Sequence, residues 1–156
     1  MRAFILLAAL LMVSSPAGAS EKETLESYIS WFKREMRPSK QQAALLLVPE
    51  ILQAAHTHKI DPLLIATTIK AESSFFLHQV GSRGEFGLMQ VMGLTHRATV
   101  QEQLDAGARI LAYSLKRCKT IESAHNNYMT GYCTPVCRKA KARSRHHLWA
   151  KKRFSK

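Results

Sequence analysis

The sequence predicts an all-α domain on three observations. Apolar residues recur at helical spacing in several stretches, helix-start signals precede two of them, and no stretch alternates as a half-buried strand would. Leu25, Ile29 and Phe32, with Tyr28 beside them, predict a first helix over 23–35. Pro38 interrupts it. A second helix runs over 43–58, where Pro49 must kink or restart it because proline has no N–H to donate. Asp61-Pro62 starts a third, since Asp caps and Pro suits the first turn. This helix carries Leu64, Ile65, Thr68, Ile69 and Glu72, so densely apolar that it belongs at the centre of the domain. Gly81, Gly84 and Gly87 punctuate a loop. Thr99 and Glu102 have capping-box spacing and open a helix through Leu104, Ala108, Leu111 and Leu115. A shorter helix over 121–129 ends at Gly131.

The 156 residues suit one domain, and a hydrophobic fraction of 46% supplies a core. Lys and Arg number 23 against 11 Asp and Glu, a formal charge of +12 that favours a polyanionic partner. Residues 1–19 read as a signal peptide: Arg2 is the positive region, Ala3 to Val13 the apolar run, and Ala17-Gly18-Ala19 the cleavage site. Cleavage after Ala19 puts the mature protein in the periplasm or outside the cell, and argues against nucleic acid as its partner. The apolar run is too short to span a bilayer.

Of Cys118, Cys133 and Cys137, an oxidising compartment allows one disulfide and leaves one thiol. Cys118 with either of the other two is favoured, and a Cys133–Cys137 staple is the alternative. No metal is expected, because no histidine stands at ligand spacing from them and the remaining histidines form no metal motif. Between Arg138 and Lys156 stand nine Lys or Arg and no acid, interleaved with Leu148, Trp149 and Phe154. Residues 138–156 are expected to be a basic tail outside a domain of residues 20–137. That tail is either solvated or held to an anionic envelope surface, and is separable from any catalysis.

Glu72 is out of place: it follows Asp61 by eleven residues, about three turns into an apolar helix. A carboxyl partly withdrawn from water can hold a proton and serve as a general acid. An ordinary helix-end glutamate is the plainer alternative. The stretch Gly87-Leu88-Met89-Gln90-Val91-Met92 then sets one amide in an apolar wall.

The ESSF at 72–75, the glycines at 81 and 84, GLMQV at 87–91 and AHNNYMTG at 124–131 resemble the lysozyme-like lytic transglycosylases of the soluble lytic transglycosylase (SLT) family. The likeness covers about residues 42–131. It implies a goose-type lysozyme-like helical domain with a cleft for peptidoglycan glycan strands, and no cofactor. By the same resemblance Glu72 is the catalytic acid. Ser73, Met89, Gln90, Asn127 and Tyr128 are substrate-side residues, with Asn127 standing in only partly for the family's amide. Gly107 and Leu111 match the helix between the motifs. The chain departs from the family at Met129, where Asn is usual after the tyrosine, at Gly93 and Gln103, and at Glu85, in a slot commonly small and apolar.

With one acid, the family's reaction protonates the linkage between N-acetylmuramic acid and N-acetylglucosamine and closes a 1,6-anhydro ring. A muramidase would need a second carboxylate to activate water. Glu85, in its glycine-rich loop, is expected to be solvated. A wall-binding structural protein of a secretion or conjugation machine, and a cationic membrane-active protein, are the readings from other classes. Small size and export also suit a dedicated wall opener in such a machine.

Overall fold

The computed structural model describes residues 17–33 and 43–155. Among these residues the named helices are α1 (Ala17–Lys33), α2 (Val48–His58), α3 (Pro62–Ser73), α4 (Val100–Cys118), α5 (Ile121–Thr130) and α6 (Arg138–Phe154). Only isolated bridges, Val80 with Phe86 and Phe86 with Val91, interrupt the all-α character of the described residues. No helix among these residues is long and apolar enough to cross a membrane. Most of the expected signal peptide lies outside the described residues, and Ala17 to Ala19 form the first turn of α1. Pro38 also lies outside them.

α1 begins earlier than its apolar pattern and buries Leu25, Tyr28, Ile29 and Phe32. Pro49 restarts rather than kinks the chain: it occupies the first turn of α2, where a missing N–H costs nothing. Asp61 caps α3, accepting from the Leu63 N–H at 2.9 Å. The helix is buried at Leu63, Leu64, Ile65, Ala66, Thr67, Thr68 and Ile69, so it is the central element its composition predicts. It stops abruptly after Glu72 and Ser73, because Ser74 (φ 51) and Phe75 (φ 64) are both left-handed. Each costs about 1–2 kcal/mol in a non-glycine residue. The reversal leaves Glu72 on the last turn, at the mouth of the 74–98 loop.

The Thr99–Glu102 capping box forms and opens α4. Thr120 caps α5, and Gly131 (φ 81) ends it. Cys118 at the end of α4 is bonded to Cys133, one of the two partners expected for it, and Cys137 is a free thiol. Asn126 then orders the following loop. Its amide donates to the carbonyls of Tyr132 (2.8 Å) and Pro135 (3.1 Å), and its oxygen accepts from the Cys137 N–H (2.9 Å).

That loop delivers the largest departure from the expected organisation. The segment taken for a separable basic tail is α6, docked on α1, α3 and α5. Ala140, Ser144, His147 and Ala150 are buried at helical spacing, a stripe that nine basic residues obscure in the sequence. Ser144 meets His125 Nδ1 at 2.9 Å, and the Tyr28 hydroxyl meets His146 Nε2 at 2.9 Å. Asp61 accepts from Lys151 Nζ at 3.1 Å. Trp31 of α1 packs on Trp149 with ring centroids 4.7 Å apart. The domain boundary expected at residue 137 is therefore not present in the fold.

This docking face holds three neutral imidazoles. Burial, then the neighbouring His147 and Arg143, lowers the pKa of His125 to about 4. Burial, then Lys70 and His147, lowers His146 to about 4. His147 is lowered by burial, against the pull of Asp61. In the unfolded chain each takes its proton near pH 6.5. As pH falls below 6.5 the unfolded state therefore binds protons first, and stability drops until the folded-state values are reached near pH 4. His125 alone accounts for a loss of up to about 3 kcal/mol. The urea midpoint is expected to fall across this window and to fall less in His125→Asn; a midpoint flat from pH 7 to 4 would contradict the buried neutral rings.

Candidate active site

The GLMQ segment is held in place by α4. Gly87 is left-handed (φ 84), and a Cβ there would lie 2.2 Å from Gln103 Oε1, so a side chain would be strained and would displace the Gln103 amide. Gln103 accepts from the Leu88 N–H at 2.9 Å and donates to the Ala98 carbonyl at 3.2 Å. It thereby fixes the loop despite replacing the family's usual Asn. Gly107 gives Met89 its seat, since a Cβ on it would come 2.4 Å from the Met89 sulfur. Met89 is fully buried. Its backbone oxygen accepts from the Tyr128 hydroxyl at 2.6 Å, which ties α5 to the loop.

Between these elements opens a cavity of about 450 Å³. Its lining includes Glu72, Gly81, Arg83, Glu85, Gln90, Met92, Tyr128, Met129 and Arg143. Gln90 is left-handed (φ 50), held there by its amide donating to the Gln79 and Gly87 carbonyls, both at 2.9 Å. With both donors engaged inward, its oxygen is the atom left to meet a ligand. Tyr128 has a raised pKa, from burial and then from the Glu72 carboxylate. It is a neutral phenol at any physiological pH and cannot act as the base.

Two ion pairs set the electrostatics. Arg143 of α6 donates to Glu72 Oε1, and the two side chains are 16% and 15% exposed. Across the cavity, Arg83 binds Glu85 through Nε and Nη2, both at 2.8 Å, and through its backbone N–H at 3.0 Å. These backbone hydrogen bonds, foremost the one from the Glu85 amide itself, lower the pKa of Glu85. Glu85 was expected to be solvated, but it lines the cavity with its side chain only 13% exposed. The arginine two residues earlier is what draws it in.

Of the substrate-side residues that the sequence singled out, Gln90 and Tyr128 meet Glu72 in the cavity, and three others do not line it. Ser73 is buried and donates back to the Ile69 carbonyl at 3.2 Å. The Met89 side chain is core. Asn127 is buried between α4 and α5, where it accepts from the Ser114 hydroxyl at 2.9 Å. One helical step, about 100°, separates it from the wall that Tyr128 and Met129 form, so its amide replaces nothing in the cavity. Arg143 was missed. Its signal was present in the Ala140–Ser144–His147 stripe, which places residue 143 beside the buried face.

The Transglycosylase SLT domain family model matches residues 49–147. The chain belongs to that family. The match runs through the cavity elements and into α6 as far as His147, so it includes both Glu72 and Arg143. Comparison with curated proteins gives no match. At the level of the family, an SLT domain is an enzyme of the lytic transglycosylase class acting on peptidoglycan glycan strands.

Proposed function

We propose that this SLT domain cleaves the bond between N-acetylmuramic acid and N-acetylglucosamine and leaves 1,6-anhydromuramyl ends, with Glu72 as both acid and base. Protonated Glu72 gives its proton to the bridging oxygen. The bond from that oxygen to the muramyl C1 breaks, and the glucosaminyl 4-hydroxyl departs. The muramyl acetamido group stabilises the cation-like centre. The muramyl 6-hydroxyl then attacks C1 and passes its proton to the Glu72 carboxylate, which restores the acid; no water is consumed. The observation carrying this reading is that Glu72 stands in the cavity beside Gln90 and Tyr128, while the other carboxylate there is tied into its own loop.

Glu85 favours one second reading. It is an ionised carboxylate lining the same cavity, and an inverting muramidase needs such a group to activate water. Mass spectrometry of muropeptides released from purified sacculi separates the two, because an anhydro end is one water lighter than a reducing end. Anhydro ends are expected; reducing ends would move the assignment to a hydrolase. Release of neither would favour a structural wall-binding protein, a class for which Met129 in the family's Asn position is the supporting feature.

The same proposal places the enzyme in the periplasm or outside the cell, on the strength of residues 1–19 and the Cys118–Cys133 bond. The exported protein should begin at Ser20 and, on non-reducing peptide mapping, yield that one bond and a Cys137 thiol. A product beginning at Met1 with three thiols would exclude it. We include in the proposal service to an envelope-spanning secretion or conjugation machine, tested by whether Glu72→Gln in the native host blocks export through it. The exposed face of α6, with Lys139, Lys141, Arg145 and Lys152, is suited to an anionic envelope surface.

A further inference from the structure

The cation that α6 brings into the cavity has no part in the reaction as written. As a member of an ion pair, Glu72 presents a carboxylate, whereas the first step needs the acid. The pair must therefore be given up before bond cleavage. Arg83 is no substitute partner in either direction, because Glu85 occupies it from two side-chain nitrogens and its backbone N–H. Among the described residues, Glu72 is the acid that Arg143 contacts.

We propose that Arg143 is a specificity-determining residue that leaves Glu72 for a carboxylate of the glycan, so that the preferred strand carries a carboxylate beside the bond to be cleaved. This rests on the lytic-cleavage reading of the cavity. When Glu72 takes a proton from solvent, the guanidinium loses its counter-charge at a site only 16% exposed, a costly state. A substrate carboxylate restores the counter-charge, and it is repelled less once Glu72 is neutral. Binding of the carboxylate and protonation of Glu72 therefore favour each other. Neither His125 nor Tyr128, the two rings that feel its charge, carries a negative charge to replace Glu72.

The fold also holds Arg143 for this task. Its backbone is pinned by the next residue, Ser144, which is buried against His125 at 2.9 Å and bonded to the Ala140 carbonyl at 3.0 Å. The guanidinium can then turn between two acceptors on a fixed base, and one of its five N–H groups is used by Glu72. Two substrate carboxylates have the right chemistry. One is the lactyl group of a muramyl residue whose peptide has been removed; the other belongs to an attached stem peptide.

The test is binding to Glu72→Gln, which lacks the competing charge. Three muramyl–glucosaminyl tetrasaccharides serve as probes: peptide-free, peptide-free with each lactyl carboxylate converted to its neutral methyl amide, and stem-bearing. At least one charged probe is expected to bind about tenfold or more tightly than the methyl amide, the worth of a charge-assisted hydrogen bond. A gain with the peptide-free strand identifies the lactyl carboxylate; a gain confined to the stem-bearing strand identifies the stem. Arg143→Gln in the same background should erase the preference and Arg143→Lys should keep part of it. Equal binding of charged and neutral strands, or a preference that survives Arg143→Gln, overturns the proposal. The comparison among probes needs no change at Arg143, so equal binding of charged and neutral strands overturns the proposal even where a variant there fails to fold. Absence of wild-type cleavage on all three strands with the preference intact would remove the cleavage reading and leave the carboxylate site standing.

Discussion

Glu72→Gln is expected to fold, to bind glycan and to lose cleavage by about 10⁴-fold or more. Acid–base assistance from one group is worth about 10²- to 10⁴-fold, and here a single group gives a proton and later takes one. The amide keeps the size of the side chain, and its oxygen can still accept from Arg143 as the carboxylate does. What it lacks is an exchangeable proton. Glu85→Gln removes a carboxylate from the same cavity and weakens the hold of Arg83, whose Nε and Nη2 both reach Oε1. Under the one-acid scheme it should cost about tenfold or less, since Glu85 then only shapes the loop wall. Rates of muropeptide release from sacculi, with circular dichroism to confirm folding, compare the variants directly. Substantial cleavage by folded Glu72→Gln would remove it from the chemistry, and equal losses at both positions would require a two-carboxylate mechanism.

The elements that the sequence announced most clearly are those with local causes. The Asp61 cap, the Thr99–Glu102 box and the Gly131 stop each act within a few residues, and all three form as expected. The cavity was legible where a residue type is confined by its own loop, as at Gly87 and Gln90. It was not legible where a neighbour in sequence decides which way a side chain turns. Asn127 and Tyr128 are adjacent on α5, yet one faces Ser114 and the other the Met89 carbonyl. Nor was the role of α6 visible in its composition. A helix that docks through Ala140, Ser144, His147 and Ala150, with Trp149 and Phe154 set among its basic residues, shows no continuous apolar stripe to report it. Its contribution depends on partners such as Asp61 and Glu72, about 90 and 71 residues away in sequence, brought close only by the complete fold.

Truncation after Cys137 should consequently abolish folding rather than merely weaken attachment to the wall. The cut removes the cover from α3 and α5, the Trp149 and Phe154 rings that pack on α1, and the partners of His125, Asp61 and Glu72. A domain of this kind has about 5–15 kcal/mol of total stability. Each hydrogen-bonding partner lost from a buried group costs about 1–3 kcal/mol, before any exposed apolar surface is counted. The truncated chain should show no cooperative thermal transition and no cleavage, even of short soluble glycans. If it instead melts near the full-length temperature and cleaves them, α6 is an accessory after all. Attachment is tested without touching the docked face, by Lys141→Glu with Arg145→Glu, both fully on the exposed side of the helix. That pair should leave the thermal transition in place and reduce pelleting with sacculi at low salt, with the difference vanishing as screening grows. Pelleting that is the same for the pair and the wild type at every salt concentration would show that the outer face of α6 does not hold the enzyme to an anionic surface.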